Sequence, residues 1–288
     1  MAAYTERRWT SRDGLSLFAR DYPGASGGAR LPVICLHGLT RNSKDFDDVA
    51  PTIAQGGRRV IVPDVRGRGM SDRDPKPANY QPKTYARDVL EMMNSLGIPR
   101  AVFLGTSMGG IIIMTLAVLR SKAVAAAILN DVGPAIAPEG VARILRYVGI
   151  GEDIRSWDDA ADYMSRTMGV ALPNFADPGW RRLAEQTFRQ GEHGPEFDYD
   201  PAIRTQLRLP SKWVTMLAWW MFRRLARKRP TLLIRGALSD VLSPEIALEM
   251  KRQAPSLRLA EVPNVGHAPL LTEPEAVAAI DDFLGTVA

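Results

Sequence analysis

Short, continuously apolar runs recur along the chain at 33–36, 60–62, 101–104, 124–129 and 232–234. Their lack of alternation predicts parallel strands covered on both faces rather than strands with one wet side. Helical stretches are expected between them at 46–54, 84–96, 108–119 and 244–253, and a last strand at 257–261. Strands alternating with helices in this way predict a βαβ parallel sheet, an α/β fold. Near the start, apolar positions around Trp9 and at 15–19 flank Asp13-Gly14. That pattern predicts an antiparallel hairpin at one sheet edge. The rhythm breaks at Gly133-Pro134 and resumes at Arg229-Pro230. The segment between is helical in pattern and highly charged, and it holds five of the six tryptophans, Trp157, Trp180, Trp213, Trp219 and Trp220. It is too long for a loop and is expected to be a subdomain.

Candidate chemistry centres on Gly105-Thr106-Ser107-Met108-Gly109. The pentapeptide follows an apolar strand and opens an apolar helix, the setting of a Gly-x-Ser-x-Gly nucleophile elbow. So tight a turn leaves no room for side chains two residues before or after the serine, and both positions are glycine. It also aims a helix N-terminus at any negative charge that forms beside the serine.

A serine hydroxyl needs a base, and the chain has three histidines. His193 lies in the insert and reads as a surface residue. His37 belongs to the turn after the first parallel strand and reads as structural. His267 lies in a loop beyond the last strand, where the order Ser, Asp/Glu, His places the base. Asp240 is expected to be the acid that orients it, since it lies beyond the penultimate strand and between Ser107 and His267 in sequence. Asp131, at the end of the preceding strand, is the competitor; its other role is to tie down the entry to the insert. For a developing oxyanion, the expected donors are the backbone N–H groups of Met108, just after the nucleophile, and Leu39, in the loop His37-Gly38-Leu39-Thr40.

The cluster Asp64-Val65-Arg66-Gly67-Arg68-Gly69-Met70-Ser71 lacks the third glycine and the Lys-Ser/Thr of a phosphate loop and reads as a turn that braces the site. The single cysteine, Cys35, sits in an apolar run, so no intramolecular disulfide and no multi-cysteine metal site is possible. The histidine spacing fits no metal set, and no metal or organic cofactor is expected. The polar start offers no signal-peptide core, and the longest apolar run, 111–119, is too short to span a bilayer. A cytoplasmic protein without a membrane partner is therefore expected. The net charge of +5 is scattered. Its one dense cluster, Arg223-Arg224 with Arg227-Lys228-Arg229, reads as a solvated helix face, and no nucleic-acid partner is expected.

Taken together, the His-Gly-Leu loop, the Asp-x-Arg-Gly-x-Gly-x-Ser turn, the Gly-Thr-Ser-Met-Gly-Gly elbow, the Ser-Asp loop and the Gly-His loop resemble, in order, the α/β-hydrolase superfamily. The resemblance covers nearly the whole chain. It implies an eight-stranded, mostly parallel sheet flanked by helices, with a helical cap inserted after the sixth strand. The core would then be residues 1–133 and 230–288, and the cap residues 134–229. It further implies a triad of Ser107, Asp240 and His267 and no cofactor. Members with an aspartate nucleophile, the epoxide hydrolases and dehalogenases, fit poorly because position 107 is serine. The expected activity is a serine carboxylesterase or lactonase acting on a small, largely apolar molecule. The alternatives are a C–C bond hydrolase of ring-cleavage diketones and a non-hydrolytic binding protein. The tryptophans would roof the substrate, and Arg41 is a candidate clamp for a substrate carboxylate.

Overall fold

The computed structural model describes residues 4–25, 30–208 and 210–287. A hairpin of β1 (Thr5–Thr10) and β2 (Ser16–Tyr22) opens the chain, followed by β3 (Val33–Leu36), α1 (Val49–Gln55), β4 (Val60–Asp64) and α2 (Pro82–Ser95). Next come β5 (Ala101–Thr106), α3 (Met108–Leu119) and β6 (Val124–Asn130). The inserted segment carries α4 (Pro138–Tyr147), α5 (Trp157–Met168), α6 (Asp177–Thr187), the short strands β7 (Phe188–Gln190) and β8 (Pro195–Phe197), and α7 (Lys212–Ala226). The chain closes with β9 (Thr231–Gly236), α8 (Pro244–Gln253), β10 (Arg258–Val262) and α9 (Pro274–Gly285).

Eight strands form one sheet in the order β1-β2-β4-β3-β5-β6-β9-β10. The β1–β2 and β2–β4 pairs are antiparallel and the rest are parallel. This is the α/β-hydrolase architecture expected from the sequence. β3, β4, β6 and β9 are buried at every position and β5 at all but its last, Thr106, as strands with helices on both faces must be. Cys35 lies at the centre of β3 with no solvent contact, and burial pushes its thiol well above the ordinary range.

The insert differs from expectation in one detail: it contains the antiparallel pair β7–β8. These strands of three residues were too short to read as an apolar run. They persist because Phe188 stacks on Phe197 with ring centres 4.8 Å apart, against the edge of Tyr163. At the end of the insert, α7 packs Phe222, Leu225 and Ala226 into the core that also holds α3.

The turn after β4 braces the carboxyl ends of the strands. Asp64 accepts the backbone N–H groups of Ser43 (2.6 Å) and Met70 (2.9 Å). Arg66 is buried, and its guanidinium meets the carboxylates of Asp13, Asp74 and Asp88. Arg68, also buried, donates from Nε to the Leu39 carbonyl (3.0 Å) and lies over the rings of Tyr80 and Tyr85. The cluster is thus the packed brace its sequence suggested.

His37 completes the brace. Its Nε2 accepts the Val65 N–H (3.0 Å), so its proton is on Nδ1, which donates to the Gly38 carbonyl (2.7 Å). Burial, with the nearby charges of Arg68 and Arg41 adding to it, lowers its pKa to about 3.

Two outcomes follow for stability. Arg66→Met should lower the unfolding free energy by about 3–5 kcal/mol, since it strands buried carboxylates; a urea melt that moves by much less would overturn this. For His37, the folded protein refuses a proton that the unfolded chain takes up below its ordinary 6.5, so its contribution is complete above that pH and is lost as pH falls toward about 3. Wild type should therefore lose stability relative to His37→Gln by about 1.4 kcal/mol per pH unit in that window. Parallel stability–pH curves for the two proteins would refute the assignment.

Candidate active site

Ser107 joins β5 to α3 at φ +51° and ψ −114°, a conformation that L-residues seldom adopt. The turn is held by the Ser107 N–H donating to the Asn130 carbonyl (3.0 Å) and by the Gly110 N–H donating to the Ser107 carbonyl (2.9 Å). A methyl group on Gly105 would stand 2.5 Å from the Gly109 carbonyl carbon, and one on Gly109 would stand 2.1 Å from the Leu36 carbonyl oxygen. Elbow, helix and β3 therefore meet only because both positions lack a side chain.

The His267 ring reaches Ser107 with Nε2 3.0 Å from Oγ, and its Nδ1 lies 2.8 Å from Asp131 Oδ2. An ionised carboxylate can only accept, so Nδ1 carries the proton and Nε2 is left to accept from the serine hydroxyl. Asp131 is fully buried and fully occupied: Oδ2 also accepts Ser239 Oγ–H (2.5 Å), and Oδ1 accepts the Gly236 N–H (2.9 Å). Its backbone has φ +52° and is anchored by its N–H to the Ile234 carbonyl (2.7 Å). Beside it, the Asn130 amide donates to Thr106 Oγ1 (3.0 Å) and to the Pro269 carbonyl (2.9 Å), lacing the serine strand to the histidine loop.

The carboxylate against the imidazole is thus Asp131, not Asp240, which corrects the expectation from the sequence. Asp240 is held by Arg143 of α4 through a two-pronged pair, Nε to Oδ2 at 2.6 Å and an Nη to Oδ1 at 2.9 Å. Burial alone would raise the Asp240 carboxyl, but the Arg143 fork outweighs it and holds the group below the ordinary carboxylate range. The reason lies in the sheet. β6 is the immediate neighbour of the serine-bearing β5, whereas β9 is one strand further out. Asp131 is the first residue beyond β6, while Asp240 stands four residues beyond the end of β9 and is drawn aside to the insert. The available sequence signal was the strand after the elbow ending in Asn130-Asp131.

Met108 follows the serine directly, and Leu39 lies in the loop that passes it. A methyl group on Gly38 would lie 4.0 Å from Ser107 Cβ, so this loop runs directly past the elbow. The Gly38 carbonyl is gripped by His37 Nδ1 and by the Arg41 N–H (3.3 Å). That grip turns the Leu39 N–H of the same peptide to the opposite side. Among the described residues, neither the Leu39 nor the Met108 N–H meets a protein acceptor.

Ser107 and His267 open into a cavity of about 620 Å³. Its far wall comes from the insert, chiefly Tyr147, Tyr163, Met164, Met168, Phe175 and Phe197. No tryptophan lines it, contrary to the expected roof: Trp180 packs against Phe175, Trp219 packs against Phe222, and Trp213 and Trp220 face solvent. Arg41 does line the cavity, but its guanidinium already pairs with Asp45 (2.6 Å) and bonds Thr187. His193 is exposed. Among the described residues, no group of three or more His, Cys, Asp or Glu side chains comes together in a way that could hold a metal.

The profile of the alpha/beta hydrolase family matches residues 33–280. A 3-hydroxybutyrate-oligomer hydrolase from Cupriavidus necator is 35% identical over 259 residues, covering 87% of each chain. The crystal structure of an alpha/beta hydrolase from Novosphingobium aromaticivorans is 42% identical, with a TM-score of 0.92 over the whole of both chains. The bifunctional epoxide hydrolase 2 of Rattus norvegicus is 26% identical over 86% of this chain and half of its own length. With a family profile spanning most of its length and a relative 35% identical over 87% of both chains, the chain is a hydrolase of the alpha/beta hydrolase family.

Proposed function

We propose that this hydrolase cleaves the carboxylic ester or lactone of a small, largely apolar molecule through a serine acyl-enzyme. One observation carries the reading: His267 bridges Ser107 Oγ and the buried Asp131 carboxylate at the floor of an aromatic- and methionine-walled cavity. His267 Nε2 takes the hydroxyl proton as Ser107 Oγ attacks the carbonyl carbon. The Asp131 carboxylate keeps the ring in the required tautomer and balances the imidazolium. The carbonyl oxygen becomes an oxyanion, for which the unpartnered Leu39 and Met108 N–H groups are the donors. As the acyl–oxygen bond breaks, the imidazolium hands its proton to the departing alcohol. Water then repeats the sequence, activated by His267, and releases the acid and the free serine.

The segment 134–229 acts as the cap over a core of 1–133 and 230–288, with its α4–α6 and β8 side chains forming the substrate's upper wall. The similarity to a 3-hydroxybutyrate-oligomer hydrolase favours short, linear hydroxyacyl esters as the first natural substrates to assay. A serine on the elbow supports ester chemistry over epoxide opening, despite the similarity to an epoxide hydrolase.

Intact-mass analysis after treatment with a fluorophosphonate should find one adduct, on Ser107, absent from Ser107→Ala and strongly slowed in His267→Ala. Asp131→Asn should cut kcat on a p-nitrophenyl ester by ~10³–10⁴-fold, as expected when the orienting acid is lost. Asp240→Asn should change it by no more than about tenfold, since a partly exposed ion pair contributes only ~1 kcal/mol. The reverse ranking would return the acid's role to Asp240. An unlabelled protein with no turnover on esters would sink the serine-hydrolase reading.

A further inference from the structure

Helix α7 is unlike every other helix that flanks the sheet. Its inner face, Phe222, Leu225 and Ala226, is buried in the core. Its opposite face is apolar and wet: Trp213, Val214, Met216, Leu217 and Trp220 are all exposed, from 44% for Trp220 to 78% for Trp213. Positions 213, 216, 217 and 220 follow the three- and four-residue spacing of one helix face. The same face continues to Arg224, Arg227 and Lys228 at the helix's carboxyl end. Isolated exposed apolar residues need no explanation, but a contiguous stripe on one element marks an interaction surface.

The charge around the stripe has a single sign. Between Asp200 and Asp240 the sequence contains no acidic residue and nine arginines or lysines. Arg235 is buried and paired with Glu261. Among the described residues, the cationic groups of α7 and its flanks have neutral partners: Arg204 donates to the Val148 carbonyl, Arg223 to the Gln253 amide oxygen, Arg227 to the Gln253 carbonyl and Arg229 to the Val124 carbonyl. Arg224 lies over the Trp220 ring with Cζ 5.8 Å from its centre. Among the described residues, none of these groups forms an ion pair with a carboxylate.

We infer that the outer face of α7 docks the protein on an anionic phospholipid surface, with Trp213, Met216, Leu217 and Trp220 entering the interface and Arg224, Arg227 and Lys228 meeting lipid phosphates. Exposed indole rings and aliphatic chains next to a basic belt combine the two attractions that hold a helix on such a surface, apolar burial and charge. A second copy of the chain fits this face poorly. In a two-fold contact, parallel α7 helices would set arginines against arginines. Antiparallel ones would set arginines against the apolar stripe, with no carboxylate opposite in either case. The sequence-based expectation of no membrane partner rested on the lack of a spanning segment. No described helix is long and apolar enough to cross a membrane, but a helix lying on the surface needs no such length.

The test is co-sedimentation of the full chain with vesicles of phosphatidylcholine alone and of phosphatidylcholine mixed with phosphatidylglycerol. Binding is expected only to the mixed vesicles, and raised salt should weaken it. Trp213→Ser with Leu217→Ser, and separately Arg224→Gln with Arg227→Gln and Lys228→Gln, should each weaken vesicle binding by at least about tenfold. Unchanged thermal melting of these variants would show that the fold survives. Absence of binding to the mixed vesicles would overturn the proposal. So would equal binding to both vesicle types, or a dimer in sedimentation equilibrium that Trp213→Ser with Leu217→Ser abolishes.

Discussion

A carboxylate with no access to water persists in a fold only where donors surround it, and the donors around Asp131 hold the strand ends in place. The Gly236 N–H comes from the end of β9, the Ser239 hydroxyl from the following loop, and the His267 ring from the loop beyond β10. Removing any one of them would leave a buried charge short of a partner. The interaction that orients the imidazole therefore also sets the spacing of β6, β9 and the histidine loop. The strained elbow is locked from the other side, because the Asn130 carbonyl accepts the Ser107 N–H while the Asn130 amide holds Thr106 and Pro269.

A second layer of buried polar contacts holds the loop that passes the serine. His37 and Arg41 grip the Gly38 carbonyl, and Arg68 grips that of Leu39. Arg68 itself rests on tyrosine rings and donates to the Arg66 carbonyl (2.8 Å), while Arg66 sits among three carboxylates. The peptide carrying the Leu39 N–H is thus held by residues that do not line the cavity apart from Arg41 and Gly38 itself. In the proposed mechanism, two N–H groups without a protein acceptor among the described residues stand beside a hydroxyl bonded to an imidazole, a preorganised arrangement of the kind in which fixed dipoles stabilise developing charge most strongly.

Charge on the insert and on the core facing it is distributed in two ways. Around the cavity and its rim it is paired, with Arg41 on Asp45, Arg182 on Asp48, Lys44 on Asp198 and Arg143 on Asp240. Along α7 it is of one sign, and among the described residues its cations make no ion pair. Three of these pairs, Arg182–Asp48, Lys44–Asp198 and Arg143–Asp240, also tie the insert to the rest of the chain.

The sheet, the elbow, the histidine beside it and the bracing turn were all legible in the sequence, because each is written in consecutive residues. A buried parallel strand is an apolar run, a nucleophile elbow is two glycines about a serine, and a histidine near the end of a chain with three histidines has few competitors. The carboxylate that meets His267 was not legible. Asp131 and Asp240 are equivalent as residues at strand ends, and the choice between them depends on which strand neighbours β5 and on where Arg143 falls after α4 has packed. The tryptophans misled for the same reason: their number is a property of the chain, but whether an indole faces the cavity, the core or solvent is set by the rotation of its helix. Local spacing by itself determined the elements and the serine at the elbow. Which side chains meet across separate elements was decided only by tertiary packing, because those distances are set by strand order and helix orientation rather than by position along the chain.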